Sequence, residues 1–331
     1  MLTANATAIS RRIALASGTA WLAGSVRAQA QPAVPWPNRP VRVITPAGPG
    51  SDIDLIARIL AEGLTARLGQ PFPVENRSGA ESVLAAEVHT TARPGETLLV
   101  AASGIVTTVP LLHEGRLPYD PQDLVPVATL GTGVLCLAAP ATLPDTTLAA
   151  LLARVRASPG ALNWSSIAGL NQLTFRLYLR EHGLDMTYAA YRTMPAAVLD
   201  LAAGRIHLAI VPLAVLLGPM RDGRVRALAV ASSERAPLLA DTPTAREAGF
   251  PEFETDAALG LFGWRGMPET LRDRLAVDAT AIMAEPSAQA RLRSVGLLLR
   301  HGGPAAFADA IATNKARAEA AVRVLRPSPP G

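Results

Sequence analysis

Val41-Arg42-Val43-Ile44-Thr45 runs into Pro46-Ala47-Gly48-Pro49-Gly50-Ser51-Asp52, and apolar residues then recur at Ile53, Ile56, Ile59, Leu60, Leu64 and Leu68 before Gly69. The first run is short and rich in β-branched residues, which predicts a buried strand. The Gly/Pro cluster is a breaker, and the spacing after it predicts a helix closed by Gly69 at its C-terminal cap. The next apolar run, Phe72 to Glu75, is expected to lie parallel to the first strand, with the helix as a right-handed crossover. A strand that feeds a tight turn and a helix leaves backbone N–H groups unpaired at the helix start. With the helix dipole these make an anion site. The plain alternative is an ordinary βαβ unit whose turn binds nothing.

Working outward, the same signals repeat. Ser82 to Thr91 reads as a helix and Thr97 to Ala101 as a strand ending at Ser103-Gly104. Leu124 to Leu130 and Val134 to Ala139 read as two strands split by Gly131-Thr132-Gly133, a place for the chain to pass between domains and for glycines to absorb a hinge motion. A helix is expected over Leu148 to Arg156 and a strand over Leu162 to Ser165, followed by a second polar turn, Ser166-Ile167-Ala168-Gly169-Leu170-Asn171, and a helix from Gln172 to His182. This turn is the counterpart of residues 46–52. Strands follow at Thr187 to Tyr191, Ile206 to Val211 and Val225 to Ala231, with a helix at Pro195 to Ala203. Thr255 to Trp264 reads as a return strand, and Glu269 to Met283, Ser287 to Val295 and Pro304 to Val324 read as helices. Strands alternating with helices argue for parallel-rich sheets covered on both faces.

At the N-terminus, Arg11-Arg12 precedes an uncharged, mostly apolar run from Ile13 to Val26, and Ala28-Gln29-Ala30 fits a small-x-small cleavage site. Residues 1–30 are read as a secretory signal cut near Ala30, by the Sec or the twin-arginine route. The run is too short for a membrane span, so no stable membrane insertion is expected. The formal charge is +4 over 331 residues. Arg11, Arg12 and Arg27 supply three of these charges and no acid precedes residue 31, which leaves +1 beyond Ala30. Such a balance gives nucleic-acid binding no support. Cys136 is the one cysteine, and inside an apolar run it reads as a buried small hydrophobe. The chain is long enough for two cores.

Chemistry-bearing motifs are missing. His89, His113, His182, His207 and His301 are scattered, without a metal-ligand pair. There is no G-x-S-x-G elbow, and Gly48-Pro-Gly50-Ser-Asp52 is neither G-x-G-x-x-G nor a Walker loop. No catalytic residue, metal or cofactor is expected. Asp52 and Asp54 read as an N-cap and a first-turn acid favoured by the dipole, rather than an acid/base pair.

A wider pattern is visible in Arg39-Pro40-Val41-Arg42-Val43-Ile44, Pro49-Gly50-x-x-x-Asp54, Leu68-Gly69-Gln70-Pro71, Val74-Glu75-Asn76-Arg77 and Leu117-Pro118-Tyr119-Asp120-Pro121. It continues through Ser158-Pro159-Gly160-x-Leu162-Asn163, Tyr191-Arg192, Gly204-Arg205-Ile206, Arg226-Ala227-Leu228-Ala229-Val230 and Pro243-Thr244-x-x-Glu247-Ala248-Gly249-Phe250-Pro251. Together these resemble the Bug family, the periplasmic solute receptors of tripartite tricarboxylate transporters, over essentially all of residues 36–320.

The resemblance implies an α/β fold of the two-domain periplasmic-binding-protein kind (type II, Venus flytrap), with parallel-rich sheets and a hinge. Residues 31–132 and 255–331 would form the first domain and 133–254 the second. It places ligand contacts at Ala47, Gly48, Ser51, Asp52, Ile53 and Asp54 of the first turn and at Ser165, Ser166, Ile167, Gly169 and Asn171 of the second. Ser103, Tyr191 and Thr193 complete the set. The implied protein is a monomeric, non-enzymatic periplasmic receptor that captures a small carboxylate-type ligand and delivers it to the membrane permease subunits of a tripartite transporter. The alternative is a periplasmic sensor that hands its bound state to a signalling partner. The chain departs from the family pattern at Ala47 (commonly aromatic), Ser51-Asp52 (commonly glycines), Thr193 (glycine), His207 (aspartate) and Ala258 (tryptophan), and its second turn is shorter. Asp52 is therefore expected to face an ammonium or hydroxyl group of the ligand.

Overall fold

The first apolar run forms β1 (Arg42–Thr45), and the helix after the breaker is α1 (Asp52–Leu68). Ser51 caps α1, and Gly69, at φ 70°, closes it by donating its N–H to Thr65 O at 3.0 Å. Only glycine takes that left-handed conformation at little cost. These coordinates are a computed structural model that describes residues 36–325 apart from 115, 168 and 192. The export signal read over residues 1–30 and the motif residue Arg192 lie outside the described residues.

The chain continues as β2 (Val74–Asn76), α2 (Val83–Thr91), β3 (Thr97–Ala102), α3 (Gly104–Leu112), β4 (Val125–Gly133) and β5 (Leu135–Pro140). It proceeds through α4 (Leu148–Ala157), β6 (Asn163–Ser166), α5 (Leu170–Glu181), β7 (Thr187–Tyr188), α6 (Met194–Ala202), β8 (Leu208–Pro212), α7 (Leu213–Arg221) and β9 (Val225–Val230). β10 (Ala257–Gly263), α8 (Glu269–Ala284), α9 (Pro286–Ser294) and α10 (Pro304–Leu325) complete it.

The strands form two five-stranded sheets, ordered β2-β1-β3-β10-β4 and β7-β6-β8-β5-β9. In each, the first three strands are parallel and the last two antiparallel. The parallel part is the βαβ portion; the antiparallel part is where the chain changes sheets. β4 leads out of the first sheet into β5, and β9 leads out of the second into β10. The fourth strand of each sheet is thus the one that has just arrived from the other.

Alternation along the strands covers both faces of each sheet. In the first sheet Val43, Leu98, Val100 and Leu261 pack under α1 and α8, while Ile44, Leu99, Ala101 and Phe262 pack under α2, α3 and Phe307 of α10. Gly260 is required on that second face, because a Cβ there would fall 2.1 Å from the Phe307 ring. In the second sheet Leu137, Trp164, Leu208 and Ile210 face one layer, and Cys136, Ala138, Ala209 and Val211 the other. Trp164 and Phe175 are fully buried with ring centroids 4.7 Å apart; each such aromatic contributes about 2–3 kcal/mol of burial. Cys136 is fully buried, which pushes its thiol up to about 12.

Several boundaries differ from the sequence expectation. Gly131 and Gly133 do not split two strands: they are β4 residues, and Gly133 pairs with Ala257. β7 stops at Tyr188 rather than Tyr191, β8 starts at Leu208 rather than Ile206, β2 is displaced to Val74–Asn76, and β10 begins at Ala257. Two helices were unforeseen. α3 holds Val106, Thr107, Thr108, Val109 and Pro110, and α7 holds Gly218-Pro219. Both compositions disfavour helix, and packing on the sheets overrides the preference.

Candidate functional site

The two turns are built differently. In the first, Ser51 Oγ accepts the Asp54 N–H at 3.2 Å, which makes Ser51 the N-cap in place of the Asp expected there. Asp52 Oδ1 accepts the Ile53 N–H at 2.9 Å. Asp54 is almost fully buried: its Oδ2 accepts from the Gly50 N–H and from Arg58 Nε, both at 2.9 Å, and its Oδ1 accepts from Asn76 Nδ2 at 2.8 Å. The same amide donates to Ala47 O at 2.8 Å. Burial works against the charged form of Asp54, yet Arg58, Asn76 and the Gly50 N–H together hold its carboxyl below the usual range. Burial pushes the Asp52 carboxyl above it, only partly offset by the Ile53 N–H. The amides of Gly50, Ile53 and Asp54 are therefore occupied by the turn's own side chains. Gly48 N–H has no acceptor among the described residues.

The second turn keeps its amides open. Gly169, at φ 143°, stands at the N-cap of α5 with no side-chain cap. The N–H groups of Gly169, Leu170, Asn171 and Gln172 have no acceptor among the described residues, and the helical ladder begins with the Leu173 N–H donating to Gly169 O at 3.2 Å. Ile167 N–H donates to Ile210 O at 3.2 Å, and Ser166 Oγ donates to Ile167 O at 2.9 Å. Ser165 Oγ is buried without a partner among the described residues. Ala168 lies outside the described residues.

The segment Thr255–Ala258, which brings the chain back to the first sheet, anchors residues of both halves. Thr255 donates its hydroxyl to Asn171 Oδ1. Ser103 N–H donates to Ala258 O at 2.8 Å, and Asn314 Nδ2 of α10 donates to Ser103 Oγ at 3.1 Å and to Asp256 O at 3.2 Å. Asn171 and Ser103 are thus brought onto one strand entry. Tyr191 and Thr193 are not: Tyr191 donates its hydroxyl to Asp200 Oδ2 at 2.5 Å, and Thr193 is exposed at the start of α6. Burial, reinforced by the Asp200 carboxylate, pushes the Tyr191 phenol up to about 12.

Some features were beyond the sequence reading. Ala80, Glu81 and Ser82 hold left-handed backbone, φ 45°, 54° and 79°, just before α2, a conformation that costs non-glycine residues free energy. Glu81 Oε2 lies 3.3 Å from His113 Nε2. Burial raises the Tyr188 phenol, partly offset by the Arg176 guanidinium and the Gln172 side chain. Arg176 lies 4.6 Å over the Tyr188 ring. An open cavity of about 300 Å³ is lined by Thr129, Thr132, Asp256, Ala258, Arg300, His301, Asn314 and Arg317, among others, and no residue of the two turns lines it. Among the described residues no cluster of His, Cys, Asp and Glu could hold a metal ion, and no helix is long and apolar enough to cross a membrane. His207 Nδ1 faces Asn163 Oδ1 at 2.9 Å, a locally satisfied histidine.

Residues 56–324 match the family model of the tripartite tricarboxylate transporter family receptor, TctC. The chain belongs to the TctC receptor family. This TctC receptor is 34% identical to protein BugT of Bordetella pertussis over 293 residues, 84% of this chain and 88% of that protein. It superposes on Rpa4515 of R. palustris, solved with adipate, with a TM-score of 0.79 at 29% identity, covering 87% of this chain and 98% of that one. MatC (Rpa3494) from Rhodopseudomonas palustris, solved with bound malate, gives 0.75 at 29% identity over 86% and 99%. The Bug-family resemblance read from the sequence and the periplasmic-binding-protein fold of the receptor are both borne out.

Proposed function

We propose that this TctC receptor captures a small carboxylate between its two halves and delivers it to the membrane permease subunits of a tripartite transporter, acting as a periplasmic monomer without catalysis. The observation that carries this reading is the uncapped start of α5, where four consecutive amides, Gly169 to Gln172, have no protein acceptor among the described residues. Oriented N–H groups at a helix start, backed by about half a positive charge, hold a carboxylate without a cationic side chain. The ligands of the relatives, malate for MatC and adipate for Rpa4515, are carboxylates as well. On this reading residues 31–132 with 255–331 form one domain and 133–254 the other, and the crossings near Gly133 and Thr255 bend as the cleft closes. The first turn then forms the opposite wall, with Asp52 beside the ligand's polar groups. Residues 1–30 direct export and are removed near Ala30.

Thermal unfolding in the presence of malate, adipate and their uncharged diamides tests it. One of the carboxylates is expected to bind saturably, stabilising the chain by about 2.7 kcal/mol at a hundred times Kd, with the diamides inert. Equal effects from acids and diamides, or none from either acid, would overturn the carboxylate reading.

A further inference from the structure

Leu297 and Leu298 are neighbours in the chain and belong to different cores. Leu297 joins the core of the first half, with Leu130, Ile282 and Leu292, and Leu298 joins that of the second, with Val134, Cys136 and Val230. Both are almost fully buried. Successive side chains of a strand-like segment point to opposite sides, so this stretch between α9 and α10 is wedged between the halves. Its backbone is tied to β4. Thr132 N–H donates to Leu298 O at 2.9 Å and Leu298 N–H to Thr132 O at 3.0 Å, while Thr129 N–H donates to Gly302 O at 2.8 Å and Gly302 N–H to Thr129 O at 3.2 Å. His301 Nδ1 faces Leu130 O at 3.2 Å. Gly296 opens the stretch at φ 82°, and a Cβ there would fall 2.4 Å from the Leu213 side chain of the second half.

Arg300, between these ties, reaches the other way. Its Nη2 donates to Ser233 Oγ at 2.8 Å and to Glu234 Oε1 at 3.1 Å, and its Nη1 to Asp256 Oδ2 at 2.7 Å. Ser233 and Glu234 follow β9 and lie between Ala231 and Ala236, both buried in the second half. Asp256 also accepts the Ser233 N–H at 3.2 Å, where the chain returns to β10. One guanidinium carried by the first half thus grips the second half and the chain crossing at once. The two kinds of contact respond differently to rotation. Apolar packing such as that of Leu298 is non-directional, whereas charge-assisted hydrogen bonds are short and aligned and are lost when their partners move apart. The Arg300 and Glu234 side chains are 40% and 55% exposed, so water can replace these bonds and salt weakens them.

We propose that Gly296–Gly302 is a third, non-covalent element of the hinge: Leu298 is the pivot seated in the second half, and Arg300 is a clasp on Ser233 and Glu234 that must release before the halves turn. The clasp rests on the proposed motion of the two domains but not on the nature of the ligand.

The experiment uses the full chain with nitroxide labels on Val277→Cys in α8 and Leu199→Cys in α6, both well exposed, while Cys136 is fully buried. Pulsed electron paramagnetic resonance without added ligand reads the distance between the halves in this parent, Arg300→Ala, Glu234→Gln and the double variant. Expected is one dominant distance in the parent. The share of a second distance should rise about threefold to fivefold in either variant, rise in the parent at about 0.5 M salt, and rise no further in the double variant, because both substitutions break the same contact. Glu234 is exposed, so its replacement leaves folding intact even if that of Arg300 does not. Distances unchanged by Glu234→Gln, or effects that add in the double variant, would overturn the clasp. If malate or adipate still shifts the distance in that case, the domain motion stands without it.

Discussion

Before α1, the side chains of Ser51, Asp52 and Asp54 take up the amides of Asp54, Ile53 and Gly50; before α5, no side chain among the described residues takes up any. Two units with the same strand–turn–helix outline thus present opposite surfaces. The first is tied together by a buried carboxylate that binds Gly50, Arg58 and Asn76 at once. The second is held by its neighbours, through Ile167 to Ile210 and Asn171 to Thr255, and shows unpaired donors. On the proposed reading a carboxylate goes to the α5 start, and the α1 turn selects for a donor group.

The strongest way to break this contrast is Asp54→Ala. It leaves Arg58, Asn76 and Gly50 N–H without their shared acceptor and should cost about 3 kcal/mol in urea unfolding. A loss below about 1 kcal/mol would mean that the first turn is not held by its own acid. Acid comes next. His89 is buried, facing Gly263 O at 3.0 Å and Thr97 Oγ1 at 2.9 Å, and burial takes it down to about 4. Its folded pKa is below the unfolded value near 6.5, so the unfolded chain binds more protons below pH 6.5 and stability falls as pH falls. Between pH 7 and 5 the loss should be about 2 kcal/mol. His207 in the second half is only half-buried, its pKa lowered by burial in the same direction. Hydrogen exchange should therefore show β3 and β10 losing more protection than β6 and β8. Equal losses would show that the halves open as one unit. The smallest effect belongs to Ser51→Ala, which removes the cap of α1 and should lower stability by about 1 kcal/mol. No change would place the whole burden of that turn on Asp54.

How much of this was legible in the sequence follows from the range of each interaction. The turns at 46–52 and 166–171 were readable because Gly and Pro act on their own backbone, and the alternating sheets because burial on both faces leaves continuous apolar runs. Which amides are occupied was not, since that depends on the rotamers of Ser51, Asp52 and Asp54, and the Asp54 carboxylate is held in part by Asn76, 22 residues further on. α3 and α7 were hidden because their compositions argue against helix until a sheet lies beneath them. Tyr191 and Thr193 were carried in by family resemblance; here Asp200 occupies the one, and the other is exposed at the start of α6. The cavity is assembled from segments more than 180 residues apart, Thr129 to Arg317, and no local signal announces it.

The exchange of strands between the sheets also sets an order in time. β3 and β4 both pair with β10, which begins at Ala257. While the chain is being made, every residue up to 256 can have emerged and the first sheet still lacks the strand that joins its two parts. Two open edges persist until the last quarter of the chain arrives, and the ring closed between β3 and β10 spans more than 150 residues. The first sheet therefore cannot finish ahead of the second, whose strands all lie between Leu135 and Val230, and its completion waits on β10.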